Sequence, residues 1–190
     1  MEHNFIDEQT FKNKTFTENE FEKGDYELCT FINCVFLNAN LSHTRFIECE
    51  FHDCNLSSAN IFDTSFQDVY FKGCKLLGLD FEKCSDFAFT IKVEQCQLNH
   101  ASFFKMNLKK TLFKDSKLEG VDFTNCNLSD AVFDACNLIN STFFNTNLEN
   151  ANFKTANNFK IDPENNRLKG AKFSLLNIEG LLTKYQIKIE

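Results

Sequence analysis

Large apolar residues recur at every fifth position along most of this chain. From Phe11 the series runs Phe16, Phe21, Tyr26, Phe31, Phe36, Leu41, Phe46, Phe51, Leu56, Ile61, Phe66, Phe71, Leu76 and Phe81. After a slip it resumes as Leu98, Phe103, Leu108, Phe113, Leu118, Phe123, Leu128, Phe133, Leu138, Phe143, Leu148 and Phe153. Neither an α-helix, with its period near 3.6, nor a flat strand, with its period of 2, keeps a five-residue spacing on one face. Two places before each centre the residue is mostly small, as at Cys34, Ala39, Thr44, Cys49 and Cys54, which marks a second inward slot with little room. Asn recurs just before the centre, where its side chain can hydrogen-bond nearby backbone at a turn. A chain that turns a corner every five residues, with one large and one small side chain inside, makes the coil of a solenoid.

These residues resemble the pentapeptide-repeat family, in "ANLSH" at 39–43, "CNLSS" at 54–58 and "ANFKT" at 151–155. The resemblance implies an all-β fold, a right-handed quadrilateral β-helix with four five-residue faces per coil. The alternation of Leu and Phe between 98 and 153 agrees with four faces. With twenty residues per coil, Phe103, Phe123 and Phe143 stack in one column, and Phe113, Phe133 and Phe153 in the opposite one. A three-faced coil would mix Leu and Phe in every column. The expected organisation is a lead-in over 1–8, a β-helix of about seven coils over 9–157 and a C-terminal tail over 158–190 that includes a short helix. At about 4.8 Å per coil the rod is on the order of 35 Å long.

The chain has 24 Phe, no Trp, one Pro and a net charge of −7. That charge lacks the basic footprint of phosphate-backbone binding, so direct nucleic-acid contact is not expected. The start, "MEHNFIDEQTF", has no cationic segment followed by an apolar run, and no stretch is apolar enough to span a membrane. A soluble, cytoplasmic protein without membrane contact is the expectation.

All nine cysteines occupy the small inward slot and read as small buried hydrophobes. "CEFHDC" at 49–54 has metal-ligand spacing, but the repeat turns Cys49 and Cys54 inward and His52 outward, so no metal site is expected. Cys34, Cys54 and Cys74 stack twenty residues apart; parallel Cβ directions argue for free thiols. His3, His43, His52 and His100 are scattered, and there is no glycine-rich phosphate loop. Neither catalysis nor a cofactor is expected.

Seventeen residues separate Phe81 from Leu98, three repeats plus two extra. The segment 85–95 puts Asp86 where a centre was due and alternates Phe87, Phe89, Ile91 and Val93. It is either a bulged coil or a projecting loop, in which case Asp86, Phe87 and Phe89 are candidate partner contacts. In the tail, Ser174 is a helix N-cap candidate and Ile178, Leu181, Leu182 and Tyr185 fall at helical spacing, before a strand-like "QIKI". Such a helix would cap the open coil. Leu175, Leu176, Ile187 and Ile189 also need cover, so the tail is expected to form a homodimer interface.

The run "IDPENNRLKGAKFS" in the tail, with "EQCQLNHASF" near the slip, resembles the topoisomerase-protecting branch of the family, the quinolone-resistance proteins and the microcin B immunity protein. That resemblance implies a homodimeric, DNA-mimicking rod that binds DNA gyrase or topoisomerase IV where DNA would lie. The sequence departs from the quinolone-resistance pattern in having no long loop near 50–60. The competing expectation is a structural β-solenoid module with a different protein partner. A rod matching B-DNA in charge would need about twenty negative charges over 35 Å, so mimicry here must rest on shape and local patches. The candidate patch is Asp115, Glu119, Asp122, Asp130, Asp134 and Glu149, which follows a lysine-rich stretch at 97–114.

Overall fold

The computed structural model describes residues 4–16 and 21–188. Its strands are β1 (Asn4–Asp7), β2 (Thr10–Lys12), β3 (Gly24–Glu27), β4 (Thr30–Ile32), β5 (Arg45–Ile47), β6 (Glu50–His52), β7 (Ser65–Gln67), β8 (Val69–Lys72), β9 (Ile91–Glu94), β10 (Leu112–Lys114) and β11 (Val132–Asp134). Every pairing is parallel, and partners lie a coil apart, as in Phe11↔Phe31, Phe31↔Phe51 and Phe51↔Phe71. One sheet has the order β1-β3-β5-β7; the other, β11-β10-β9-β8-β6-β4-β2, draws one strand from each of seven coils. Single bridges such as Val35↔Asn55 and Ser102↔Asp122 stitch the remaining two faces. The fold is the quadrilateral β-helix.

The apolar columns fill the coil. Phe103, Phe123 and Phe143 stack at 5.6 and 5.1 Å between ring centroids, and Phe113, Phe133 and Phe153 at 5.2 and 4.6 Å. The two columns meet edge to face, as Phe123 and Phe133 do at 5.8 Å and 82°. Offset stacks and edge-to-face pairs are the arrangements the ring quadrupole favours. The Asn side chains act as expected. Asn127 Oδ1 accepts the Ser129 N–H at 3.2 Å, and Asn147 Nδ2 donates to Asn127 Oδ1 at 3.2 Å, so the turn bond and a ladder along the rod share one residue type.

The corners carry a feature the sequence reading did not include. Two residues after most centres the backbone is left-handed: Asn33, Asn38, His43, Glu48, Asp53, Ser58 and Asp63 have φ between 51° and 61°. This conformation crowds Cβ, which is why Asn, Asp and Gly crowd into these positions. That enrichment was the available signal.

The slip is a bulged coil. Phe71 pairs with Val93 and Lys75 with Gln97, steps of twenty-two residues, after which Gln97↔Lys117 restores twenty. Ser85 still donates to Thr64 at the regular offset, whereas Val69 pairs with Ile91, so the two extra residues lie between 85 and 91, where Ala88 turns left-handed (φ 53°). Around 50–60 the coil is regular, without a long loop.

Coil stacking continues past 157. Asn147↔Arg167 and Asn152↔Lys172 bridge, and Phe173 stacks on Phe153 at 5.3 Å and 6°. Leu168 and Phe173 keep the five-residue register counted from Phe153, with only Asn158 and Pro163 interrupting it. The tail then forms 3-10 turns at Leu175–Leu181 and Thr183–Tyr185 in place of an α-helix. Ser174 caps the first, its Oγ accepting the Leu176 N–H at 3.2 Å. "QIKI" forms no strand over its described residues, because Gln186 turns left-handed (φ 51°) and leaves Ile187 exposed; Ile189 lies outside the described residues.

Candidate interaction surfaces

The tail closes the open coil at one point and leaves apolar surface at another. Gly180 is buried against Phe159, its carbonyl accepts the Ile161 N–H at 3.0 Å, and Leu181 packs on the core. A Cβ at Gly180 would collide with the Phe159 carbonyl and ring. Gly180→Val should therefore undock the tail while the coils stay folded, read as faster trypsin cleavage after Lys184 with an unchanged circular dichroism spectrum. Lys184 pins the same segment, 2.8 Å from Asp162 Oδ1 and 2.5 Å from Glu164 Oε2, and Tyr185 donates to Glu164 at 2.9 Å. The ammonium holds both carboxyls below their ordinary range. This contribution to docking is present above ordinary carboxylate pKa values and is lost as pH falls through the lowered ones.

Of the residues expected at a dimer interface, Leu175 and Leu176 are 90% and 96% exposed, Ile187 and Tyr185 are exposed, and Ile178, Leu181 and Leu182 are half-buried. The 3-10 geometry thus divides a run that the helical spacing had put on one stripe. Leu181 serves the cap, whereas Leu175 and Leu176 project.

The six candidate acids are not brought together. Asp134 lies on β11, Asp115 (φ 48°) and Asp130 (φ 60°) sit at different corners, and Asp122 is on the face opposite β11. Some have local partners: Asp122 Oδ1 accepts the Thr124 N–H at 2.8 Å, Asp134 the Thr155 hydroxyl at 2.8 Å, and Glu119 the Asn99 amide at 3.1 Å. Glu149 is half-buried at yet another position. At the slip, Phe87 is 74% exposed and Asp86 is exposed, but Phe89 turns in towards Phe81 and Phe66 at 6.1 and 6.4 Å.

All nine cysteines are free and buried. All but Cys136 donate to a carbonyl of the coil before, as Cys49 does to Tyr26 at 3.3 Å and Cys74 to Phe51 at 3.3 Å. Burial pushes Cys49, Cys126 and Cys136 up to about 12. A protonated, inaccessible thiol is a poor nucleophile. Thiol titration should find nine reactive groups after unfolding and few before it. His43 is 3.0 Å from Asp63, His52 is 2.7 Å from Glu50, and among the described residues no group of three His, Cys, Asp or Glu could hold a metal ion. No helix among them is long and apolar enough to cross a membrane.

Comparison with known proteins agrees with the coil geometry. The structure of QnrB1, a plasmid-mediated fluoroquinolone resistance protein, aligns over 97% of this chain and 100% of its own, with 20% identity and a TM-score of 0.53. HetL, a pentapeptide-repeat protein involved in heterocyst differentiation regulation in the cyanobacterium Nostoc, aligns over 91% and 87% with 14% identity and a TM-score of 0.44. At its identity the likeness to QnrB1 is one of fold. No curated protein sequence matches. A model of the pentapeptide repeat region matches residues 24–87 and 45–123, and a model of eight pentapeptide repeats matches 122–157. With consecutive matches over most of the coil, and a five-residue corner seen in both sequence and backbone, the chain belongs to the pentapeptide-repeat family.

Proposed function

We propose that this protein is a non-catalytic interaction rod that occupies the DNA-binding saddle of a type II topoisomerase, DNA gyrase or topoisomerase IV, and protects the enzyme from a quinolone or a microcin-like poison. The observation that carries this reading is the tail. A rod closed by Gly180 and Leu181 still presents Leu175 and Leu176 almost fully to solvent, which fits an isologous contact joining two rods end to end. Such a dimer doubles a rod of on the order of 35 Å into an elongated body. The tail's "IDPENNRLKGAKFS" and a fold shared over the whole length of QnrB1 support the same reading.

Purified protein, added to gyrase or topoisomerase IV, should restore supercoiling or decatenation in the presence of a quinolone, and should co-purify with an enzyme subunit. Absence of both binding and protection would leave the solenoid as an interaction module for a different protein.

A further inference from the structure

Charge is sorted by face rather than by position along the chain. The seven-stranded face points six lysines outward, at 12, 72, 92, 114, 154 and 172. Only Glu50, Glu94 and Asp134 oppose them there, and Glu94 is already engaged by Tyr70 at 2.9 Å and Lys114 at 3.4 Å. Its flat positions therefore sum to a net positive charge on a chain of net charge −7, with acids such as Asp53 and Asp115 confined to its corners.

The opposite face, which backs the column of Phe103, Phe123 and Phe143, is built differently. Among the described residues, its flat outward positions carry Glu22, Asp80, Glu82 and Asp122 but no lysine or arginine; Lys23, Asp63, Lys83 and Lys105 stand at its corner, where Lys83 pairs with Asp80 and Lys23 donates to Ser42 at 2.7 Å. It also turns phenylalanines to solvent. Phe62, Phe104 and Phe144 each follow an inward member of the column, Ile61, Phe103 and Phe143, and so share one line along the rod. Phe62 and Phe144 are 53% and 48% exposed; Phe104 is half-covered by Lys105, whose ammonium sits 4.8 Å from the ring centroid. Successive rings are two coils apart, about 10 Å at the spacing of parallel strands. The columns inside are complete without them. Exposed aromatics on a surface depleted of lysine are the composition of an interface core.

We propose that the face bearing Phe62, Phe104 and Phe144 is the docking face, and that its occupant is a basic protein surface with apolar pockets about 10 Å apart along the rod. Acids beside the rings repel a phosphate backbone and attract a basic surface. Resting on the function proposed above, that surface is the topoisomerase saddle, and the lysine-bearing face points away from it.

The test compares affinities of variants for purified gyrase and topoisomerase IV subunits, with circular dichroism confirming the fold. Phe62→Ser with Phe144→Ser should weaken binding at least about 30-fold, the loss from even one hot-spot side chain. Glu82→Lys, which leaves every ring in place, should weaken it several-fold and more so at low salt. Lys72→Glu with Lys92→Glu should leave affinity unchanged or tighter. If the lysine variant loses binding while the phenylalanine and Glu82 variants keep it, the docking face is wrong and the topoisomerase reading stands. If the wild-type protein binds neither enzyme, both are overturned.

Discussion

Phe123→Ala should destabilise the rod by about 3–5 kcal/mol, the range for emptying a fully buried Phe site. Phe123 has no exposed surface; it stacks between Phe103 and Phe143 and meets Phe113 and Phe133 edge to face at 6.0 and 5.8 Å. Its neighbours belong to three successive coils held by backbone ladders, so the site cannot collapse onto the void without shifting a coil. In a solenoid, stability is a sum of coil and interface terms, and this one substitution weakens two interfaces at once. Phe144→Ala is the control: the same residue type, one coil up and facing outward, should cost less than about 1 kcal/mol. Urea midpoints at constant slope would measure both. Equal losses would mean that the inward and outward assignments are wrong.

The fold was legible because inward slots report themselves through size, and size repeats every five residues wherever a column must be filled. The corners were not, because left-handed backbone leaves only a statistical preference for Asn, Asp and Gly, and positions such as Leu28 and Ala135 take it without showing it. The end of the rod was hard to place for a related reason: Asn158 and Pro163 break the series, although Leu168 and Phe173 resume it. Tail geometry depended on packing against Phe159, which helical spacing could not reveal.

Surface chemistry is hard to read from the sequence for a different reason. In a twenty-residue coil, residues five apart in sequence lie on different faces, whereas residues twenty apart touch. Acids gathered between 115 and 149 therefore scatter around the rod, while Phe62, Phe104 and Phe144, far apart in sequence, align. The two-residue slip adds to the difficulty, since the step from Phe62 to Phe104 is forty-two residues and that from Phe104 to Phe144 is forty. Surface patterns on such a chain have to be read at the period of the coil.

Leu175→Asp with Leu176→Asp should convert the protein to a monomer and abolish protection. The two side chains contribute almost nothing to the folded monomer, being 90% and 96% exposed, so the coil and its Gly180 cap should survive the change. At a two-fold axis each substitution enters the contact twice, and an uncompensated buried charge costs about 3–5 kcal/mol. Even one such charge weakens dimerisation by roughly two to four decades, and the double variant places four at the contact. Leu181→Asp is a poorer probe, because Leu181 also packs on the core and its loss mixes cap and contact. Sedimentation and circular dichroism should show a smaller species with the same β signal, and the supercoiling assay should show the drug acting undiminished. A wild-type protein that sediments as a monomer would remove the dimer outright. A monomeric variant that still protects would show that one rod suffices, leaving the exposed leucines to some other contact.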